Sequence, residues 1–424
     1  MTKKVKIVLS TFALTVVIIF LVVNFKSPQK ELSFKVKITE PINSPHFARV
    51  LGNLMGPQFI GGNKVVSLYN GEQIFPAMLN AIAAAKKSIT FESYIYWSGD
   101  IGQKFADALS AKAKKGVKVH LLLDWVGSSR IKDAYLNEME TAGVEIERYH
   151  ALEWYNISKL NNRTHRKILV IDGEVGFTGG VGIADEWNGN GLDSKKWRDT
   201  HYEVRGPVVA QMQAAFMDNW LKTRPDVHHS ENYFPDLKNE GKSFAQMSKS
   251  SNTEGGSSVR LMYLLAIAAA RKSIYLESAY FIPDERTIED LVRARNLGVD
   301  VQIIVPGKFT DSQVLRHASR SKWGELLDAG VKIFEYQPAM FHSKVLIIDN
   351  YFLSVGSTNF DERSFRLNDE ANLNILDEDL ANQELKAFKV DLTYSKEVTL
   401  DEWKNRPVYE KLIEQVTTLF HSQL

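Results

Sequence analysis

The chain has 424 residues, of which 44% are hydrophobic and 24% are charged, and this globular composition argues against collagen, solenoid and extensively disordered chains. Its 52 Lys and Arg residues almost balance its 51 Asp and Glu residues, so the net basic field expected of a nucleic-acid-binding protein is absent. The lack of cysteine excludes disulfides, thiolate metal sites and cysteine nucleophiles. The length favours two or three domains, or one duplicated domain.

The first segment, residues 1–30, is predicted to be a membrane anchor. Residues 7–25 form an uncharged apolar run of 19 residues, which as a helix would be about 28 Å long, close to the ~30 Å hydrocarbon core of a bilayer. A secretory signal peptide begins similarly, but no small-residue cleavage site follows, so an uncleaved anchor is favoured. Lysines flank the run on both sides, which leaves the orientation open. We expect a single-pass protein of the cell membrane.

The rest of the chain contains the same series of segments twice. Four segments recur in the same order, at offsets of 185, 182, 187 and 177 residues. The pairs are 81–89 with 266–274, 116–124 with 298–306, 142–146 with 329–333, and 165–173 with 342–350. This regularity indicates duplication and fusion of one domain. The predicted parts are a stalk and lead-in over 31–74, a first domain over 75–235, a polar linker over 236–258 and a second domain over 259–424.

Helix and strand patterns alternate in the first copy. An amphipathic helix is predicted to end over 81–87, and a strand rich in β-branched and aromatic residues follows over 88–95. A second helix is predicted over 103–115 and a buried strand over 117–123. This rhythm favours an α/β architecture with parallel or mixed sheets.

The last repeated block carries a spaced set of ionisable residues, H-x-K-x4-D. Its members are His165, Lys167 and Asp172 in the first copy and His342, Lys344 and Asp349 in the second. Residues i and i+2 of a strand project from the same face, so each histidine is expected beside its lysine. The aspartate that ends each strand could orient an imidazole through one ring nitrogen; the alternative is a turn residue without a chemical role.

Two histidines and two lysines in one cleft suit a phosphodiester. Two ammonium groups bind an anion with spread charge, and Ser357 and Asn359 could donate to the same oxygens. One histidine can attack phosphorus while the other protonates the leaving alcohol, so neither a metal nor a cofactor is needed. His228 and His229 have no further residue with ligand spacing near them in sequence, so a solvated loop is favoured there over a metal site.

The paired motifs, with G-S-x-N ending at Asn359 after the second, resemble the signature of the phospholipase D superfamily. Three further segments are similar to its bacterial cardiolipin synthase branch. They are FESYIYWSGD at 91–100, WRDTH at 197–201 and NFDERSFRLNDEANL at 359–373. The resemblance covers roughly residues 75–400.

This resemblance implies two pseudo-symmetric phospholipase D-like α/β/α sandwich domains with the active site between them. The single N-terminal transmembrane helix predicted from the apolar run precedes these domains. It implies a cardiolipin synthase-like phosphatidyltransferase that works through a phosphohistidine, with His165 as nucleophile and His342 as acid and then base. The other implied roles are phosphate binding for Lys167, Lys344 and Asn359, support of the site for Asp172 and Asp349, and orientation of a histidine for Glu370, with Asp199 as its first-half counterpart. Phospholipid, with phosphatidylglycerol favoured, and the membrane are the expected partners; no nucleic acid is expected.

Two features depart from that family. Gly182 stands where the second motif has Asn359, so one phosphate donor is lost unless a backbone N–H replaces it. Cardiolipin synthases of the long type usually carry two N-terminal helices, whereas one is predicted here. The alternatives are a phospholipase D that releases phosphatidic acid, a nucleic-acid phosphodiesterase and a non-enzymatic membrane-tethered binding protein. The acceptor alcohol and the oligomeric state stay open.

Overall fold

The computed structural model of the chain describes residues 3–25, 40–151, 161–251 and 258–418. Residues 26–30 of the predicted anchor, residues 31–39 of the predicted stalk and residues 252–257 of the predicted linker lie outside the described residues.

Helices and strands alternate through both halves. The helices are α1 Lys3–Phe25, α2 Pro45–Met55, α3 Asn70–Ala84, α4 Asp100–Ala113, α5 Asp133–Thr141, α6 Val209–Thr223, α7 Ser258–Ala269, α8 Glu285–Asn296, α9 Gln313–Ser321, α10 Gly324–Asp328, α11 Glu362–Arg366, α12 Glu378–Thr393, α13 Leu400–Lys404 and α14 Val408–Thr418. The strands are β1 Ile60–Tyr69, β2 Ser88–Ser93, β3 Lys118–Asp124, β4 Glu145–Tyr149, β5 Ile168–Ile171, β6 Val175–Gly179, β7 Thr200–Arg205, β8 Ser243–Ser250, β9 Ser273–Ser278, β10 Asp300–Pro306, β11 Lys332–Tyr336, β12 Lys344–Ile348, β13 Phe352–Gly356, β14 Glu370–Leu376 and β15 Ser395–Val398.

The predicted alternation is confirmed in the first copy by α3, β2, α4 and β3. The helix α3 ends at Ala84 instead of residue 87. The backbone N–H groups of residues 86–88 are bonded instead to the side chain of Asp172, so they cannot continue the helical ladder.

The strands form one mixed sheet that repeats about its centre. Its order is β15-β11-β10-β9-β12-β13-β14-β8-β1-β7-β6-β5-β2-β3-β4. Outward from the central antiparallel β8–β1 pair, both halves show the same order of equivalent strands, and β15 extends the second half by one strand at its edge. In each half three strands pair in parallel, while the motif strand forms an antiparallel hairpin, β5–β6 or β12–β13. The duplicated mixed α/β fold is thus present as predicted.

Apolar side chains pack on both faces of the motif strands. The middle core contains Ile168 and Val170 of β5 together with Val345 and Ile347 of β12, so it joins the two halves. An outer core lies on the far side of each half. Burial of both faces explains why the motif strands read as continuous apolar runs. Through the middle core, the two motif hairpins have fixed positions relative to each other.

The N-terminal segment Lys3–Phe25 is helical. Within the ranges that the structure describes, however, no helix combines the length and the apolar character needed to cross a membrane. The predicted single transmembrane helix is therefore not supported by the described structure.

The domain boundaries stay predictions. The strand β1 lies inside the predicted lead-in and β8 inside the predicted linker. These two strands pair with each other, so both segments contribute backbone hydrogen bonds at the centre of the sheet.

Candidate active site

Both motif histidines lie in extended segments that lead into buried strands, β5 and β12. Arg166, which separates His165 from Lys167, is fully buried and donates to the carbonyl oxygens of Ala215 (2.7 Å) and Ser250 (3.0 Å). Its guanidinium thus lies on the opposite side of the chain from its two neighbours, as the alternation of an extended segment predicts.

His165 is held by the second half of the molecule. Its backbone N–H donates to the carbonyl oxygen of Asp369 at 2.9 Å. Its Nδ1 lies 3.0 Å from each carboxylate oxygen of Glu370, the first residue of β14. Both the position and the orientation of the ring are therefore set across the boundary between the halves.

His342 is held in the same way by the first half. Its backbone N–H donates to the carbonyl oxygen of Arg198 at 2.7 Å, and its Nδ1 lies 2.7 Å from Oδ2 of Asp199. Asp199 directly precedes β7, the strand equivalent to β14 in the repeat, and Trp187 Nε1 donates to the same Oδ2 at 2.8 Å. Each half supplies the acid for the other half's histidine, so neither half alone contains a complete site.

The hydrogen bonds define the protonation of both rings. A carboxylate only accepts, so Nδ1 of His165 and of His342 carries the hydrogen, and the Nε2 lone pair faces away from the acid. Burial, assisted by the nearby lysine charges, lowers the pKa of His165 to about 4 and that of His342 to about 3. Burial alone would raise the pKa of Glu370 and Asp199, but the imidazole donors and lysines hold both below their ordinary values. At neutral pH the site therefore has two neutral imidazoles and two carboxylates.

The two motif lysines are almost completely buried beside their histidines. Lys167 Nζ donates to the carbonyl oxygen of His165 at 2.7 Å, and Lys344 Nζ donates to that of His342 at 2.5 Å. Burial lowers the pKa of Lys167 to about 7 and that of Lys344 to about 8. The two ammonium groups are therefore poorly solvated, and a bound anion would stabilise their charged forms.

We expect kcat/KM for a water-soluble phosphodiester substrate to fall as pH rises through about 7 to 8. A lysine is charged below its pKa and neutral above it, so this rise removes the charges of Lys167 and Lys344, and a neutral amine binds phosphate weakly. The measurement is a pH profile of kcat/KM, which reports groups of the free enzyme. A profile that stays flat across this range would contradict the assignment of both lysines to phosphate binding.

Ser357 and Asn359 occupy different surroundings. The Ser357 hydroxyl donates to Glu370 Oε2 at 2.5 Å and accepts from the backbone N–H of Ala371 at 3.0 Å. Its single hydrogen is thus engaged, so it positions Glu370, which corrects the prediction of a phosphate donor. Asn359 lines the cleft, and its Oδ1 has no hydrogen-bond partner among the residues described.

Asp172 and Asp349 lie away from the imidazoles, and the prediction that they orient those rings was wrong. The Asp172 carboxylate accepts from the backbone N–H groups of residues 86–88, and the Asp349 carboxylate from those of residues 271–273, at 2.6–3.1 Å. Each aspartate therefore ties the motif hairpin to the start of the neighbouring strand, β2 or β9. Both have positive φ values, 53° and 54°, which suit a turn.

Replacing Asp172 by alanine is expected to lower the free energy of unfolding by about 1–3 kcal/mol, because the half-buried N–H of Ser88 and the exposed N–H groups of Lys86 and Lys87 lose their acceptor. We expect kcat of the folded enzyme to stay unchanged. Denaturant unfolding together with a transfer assay measures both quantities. Asp172→Asn, which keeps one acceptor oxygen and tolerates positive φ, should fall in between. A large loss of kcat at unchanged stability would mean that Asp172 takes part in catalysis.

Packing explains why residue 182 is a glycine. A Cβ atom at this position would lie 2.8 Å from the Cβ of Ile95 and 3.2 Å from the Trp187 ring, which is closer than carbon atoms approach without strain. No side chain fits here, so the second asparagine of the motif is absent for steric reasons and Asn359 has no first-half equivalent.

The two histidines open into one cleft of about 630 Å³. Aromatic rings that the sequence analysis did not assign to the site lie against them: Tyr94 is 5.0 Å from the His165 ring, and Trp197 is 5.2 Å from the His342 ring, between ring centres. Trp197 and Asp199 both belong to the WRDTH segment. The family resemblance of that segment was therefore the signal in the sequence that could have identified Trp197 as a site residue. Tyr96, by contrast, is a core residue.

In the parts of the chain that the structure describes, no three ligand-type side chains of this cleft bring their ligand atoms together. The one such group among the described residues, His120, Glu145 and His228, lies elsewhere in the first half. No residue of that group lines the cleft.

Comparison with known proteins agrees with this geometry. The chain matches the family "Cardiolipin synthase, PLD-like domain" over residues 78–216 and 263–392. It is 36% identical over 356 residues to cardiolipin synthase 2 of Bacillus anthracis, covering 83% of this chain and 69% of that protein. It is 34% identical over 399 residues to cardiolipin synthase 1 of the same organism, covering 92% and 78%.

Among solved structures, phosphatidylserine synthase of Haemophilus influenzae aligns with a TM-score of 0.69 at 14% identity, covering 89% of this chain and 99% of that one. This likeness concerns the fold alone. The family match covers most of both repeated halves and includes both histidine motifs. The chain therefore belongs to the phospholipase D superfamily and is a cardiolipin synthase-like phosphatidyltransferase.

Proposed function

We propose that the chain makes cardiolipin by moving a phosphatidyl group from one phosphatidylglycerol to a second, through a phosphohistidine on His165. The observation that supports this most strongly is the crossed pair of buried histidines, each with Nδ1 against a carboxylate of the other half. That arrangement leaves two Nε2 atoms for chemistry at one phosphorus, one as nucleophile and one as proton carrier.

In the first step, Nε2 of His165 forms a bond to phosphorus while the bond from phosphorus to the glycerol headgroup oxygen breaks. His342, protonated at Nε2, gives its proton to that oxygen, and glycerol leaves. Glu370 stabilises the positive charge that the phosphorylated His165 ring acquires, and Asp199 stabilises the His342 imidazolium before transfer.

In the second step, the hydroxyl of the second phosphatidylglycerol gives its proton to Nε2 of His342 while its oxygen attacks phosphorus. The phosphorus–nitrogen bond breaks, and His165 returns to the neutral ring. The products are cardiolipin and glycerol, and the chain ends with the same protons with which it began. No metal or cofactor takes part in either step.

The charge of the empty site favours the proton that the first step needs. Two lysine charges are balanced by Glu370 and Asp199, with both imidazoles neutral. A phosphodiester adds one negative charge, so its binding raises the proton affinity of the basic groups around it. The proposed first step requires one such proton at Nε2 of His342.

The rim of the cleft suits a lipid. Val126 and Val314 line it and are 40% and 51% exposed. Exposed apolar residues at a site mouth are typical of a membrane-facing surface, and acyl chains could stay in the bilayer while the headgroup enters. The exposed apolar residues of α1, among them Phe12 and Leu14, would add to membrane attachment. We propose a membrane location on this basis, without assigning a side.

The test is a product assay with the purified full chain in mixed micelles. Phosphatidylglycerol is supplied alone, and then with phosphatidylethanolamine or glycerol, and the lipids are resolved by mass. Cardiolipin from phosphatidylglycerol alone supports the proposal. Phosphatidic acid as the only product would make the chain a hydrolase, because water would then reach the intermediate. No lipid turnover by folded protein would overturn the proposal and direct the assay to oligonucleotide phosphodiesters.

A further inference from the structure

A second group of ligand-type side chains lies away from the cleft. His120 of β3, Glu145 at the start of β4 and His228 beyond α6 each place a nitrogen or carboxylate oxygen within 4.8 Å of the others. His120 and Glu145 are direct partners in the parallel β3–β4 pair. His120 lies four residues before Asp124, whose carboxylate is next to the motif. The group is therefore roughly 13 Å along the strand from the catalytic end.

Three buried polar atoms converge here without partners. Nδ1 of His120, Oε2 of Glu145 and Nε2 of His228 are buried and have no hydrogen-bond partner in the portions of the chain described. The His120 side chain is 1% exposed. An unsatisfied buried polar atom costs free energy. The Arg224 guanidinium, 3.3 Å from Glu145 Oε2, compensates that oxygen alone, whereas one cation could accept a lone pair from all three atoms.

The surroundings of His120 resemble those of a metal ligand. Its Nε2 lies 2.7 Å from the Tyr233 hydroxyl, and a ligating histidine usually donates its other N–H to an oxygen in this way. With the hydrogen on Nε2, Nδ1 directs its lone pair toward Glu145 Oε2, 3.4 Å away, and a cation between these two atoms would bind both.

We propose that His120, Glu145 and His228 bind one zinc ion. Two imidazoles and a carboxylate suit Zn²⁺, whose fourth ligand would be water. The imidazole planes of the two histidines are inclined by 28° and their centres lie 3.9 Å apart, so a small rotation can aim both nitrogens at one ion. The ion would fasten the chain that leaves α6 to the edge strands β3 and β4.

One side chain competes for the same oxygen. Nη1 of Arg224 lies 3.3 Å from Glu145 Oε2, and its side chain is 42% exposed. Glu147 is already 3.6 Å from that guanidinium. Arg224 can therefore turn to Glu147 or to solvent when a cation binds, and it leaves the Glu145 oxygen free.

The test is zinc binding by the full chain after chelation and transfer to metal-free buffer. We expect calorimetry to give about one equivalent of tightly bound Zn²⁺, and Tm to rise with zinc concentration. Glu145→Gln and His228→Gln, both at partly exposed positions, should each weaken binding by more than about tenfold. The matched control is His229→Gln, the exposed neighbour, which should bind like the unaltered chain. The visible absorption of Co²⁺ bound in place of Zn²⁺ gives an independent measure of the ligands.

Two results would overturn the site. One is that the chain binds no Zn²⁺ and its Tm does not respond to it. The other is that His228→Gln binds zinc as tightly as His229→Gln, which would place the ion elsewhere. Since the cleft is separate, a chelator should lower Tm but leave phosphatidyl transfer intact below the unfolding range. Loss of transfer there, restored by zinc, would contradict a purely structural ion.

Discussion

Replacing His165 by alanine is expected to abolish phosphatidyl transfer, with kcat lowered by roughly 10⁴-fold or more, because it removes the nitrogen that we propose bonds to phosphorus. His342→Ala is expected to lower kcat by roughly 10²–10⁴-fold, because the leaving glycerol then lacks its proton. Both variants should fold. In His165→Ala, for example, Glu370 keeps its hydrogen bonds from Ser357 and Asn368. Cardiolipin formation and circular dichroism measure the two properties.

A lipid donor whose leaving group needs no proton distinguishes the nucleophile from the acid. With phosphatidyl-p-nitrophenol, the leaving group departs as a stable anion, so His342→Ala should still release a burst of nitrophenolate and form a covalent phosphatidyl enzyme. His165→Ala should show neither. His229→Ala, at an exposed histidine outside the cleft, is the matched control and should behave like the unaltered chain. A covalent adduct in His165→Ala would reverse the assignment, and near-normal turnover in either cleft variant would refute the two-histidine mechanism.

The fold was predictable where it depends on local pattern and on the repeat. The order of the four repeated segments indicated the duplication, and the alternation of helix and strand signals indicated a mixed α/β fold. The i, i+2 spacing placed His165 beside Lys167, since an extended chain leaves no other arrangement. Such features need only a few neighbouring residues, so one sequence is enough to infer them.

Contacts between the halves could be predicted only by resemblance. Glu370 lies many residues after His165, and Asp199 lies many residues before His342. These separations along the chain do not indicate a contact, because the contacts form only when the two halves pack together. The motif aspartates were misread for a related reason. The carboxylate of Asp172 is near His165 in sequence, but the free N–H groups at the end of α3 are closer in space. The metal-type cluster was likewise missed because His120 and His228 are far apart along the chain.

The steric restriction at Gly182 was likewise not predictable from the local sequence. A missing asparagine in one motif looked like a lost phosphate donor, whereas the structure shows that Ile95 leaves no space for a side chain. The two halves have diverged in this loop, and the close approach of the Ile95 and Trp187 side chains to Gly182 decides which half can carry the donor. No local pattern in the sequence reports such an approach.

Glu370→Gln and Asp199→Asn should each lower kcat by roughly 10²–10⁴-fold, comparable to the loss of the orienting acid in other histidine-dependent enzymes. Each substitution removes the negative charge that stabilises a positive imidazole. An amide also presents N–H groups to neighbours that themselves donate: Ser357 and Asn368 at Glu370, and Trp187 at Asp199. Circular dichroism and Tm must show that both variants remain folded.

The activities of the two acid variants should respond differently to a donor that needs no proton, because each acid contacts a different histidine. Asp199 contacts His342, so the defect of Asp199→Asn should largely vanish in the burst with phosphatidyl-p-nitrophenol, which needs no proton. Glu370 contacts His165, so Glu370→Gln should stay slow with the same donor, since its nucleophile is still misoriented and its phosphohistidine unsupported. Equal rescue of both variants would mean that the acids are interchangeable supports of the fold. Rescue of Glu370→Gln alone would make His342 the nucleophile, and the crossed contacts would then assign the acid role to His165.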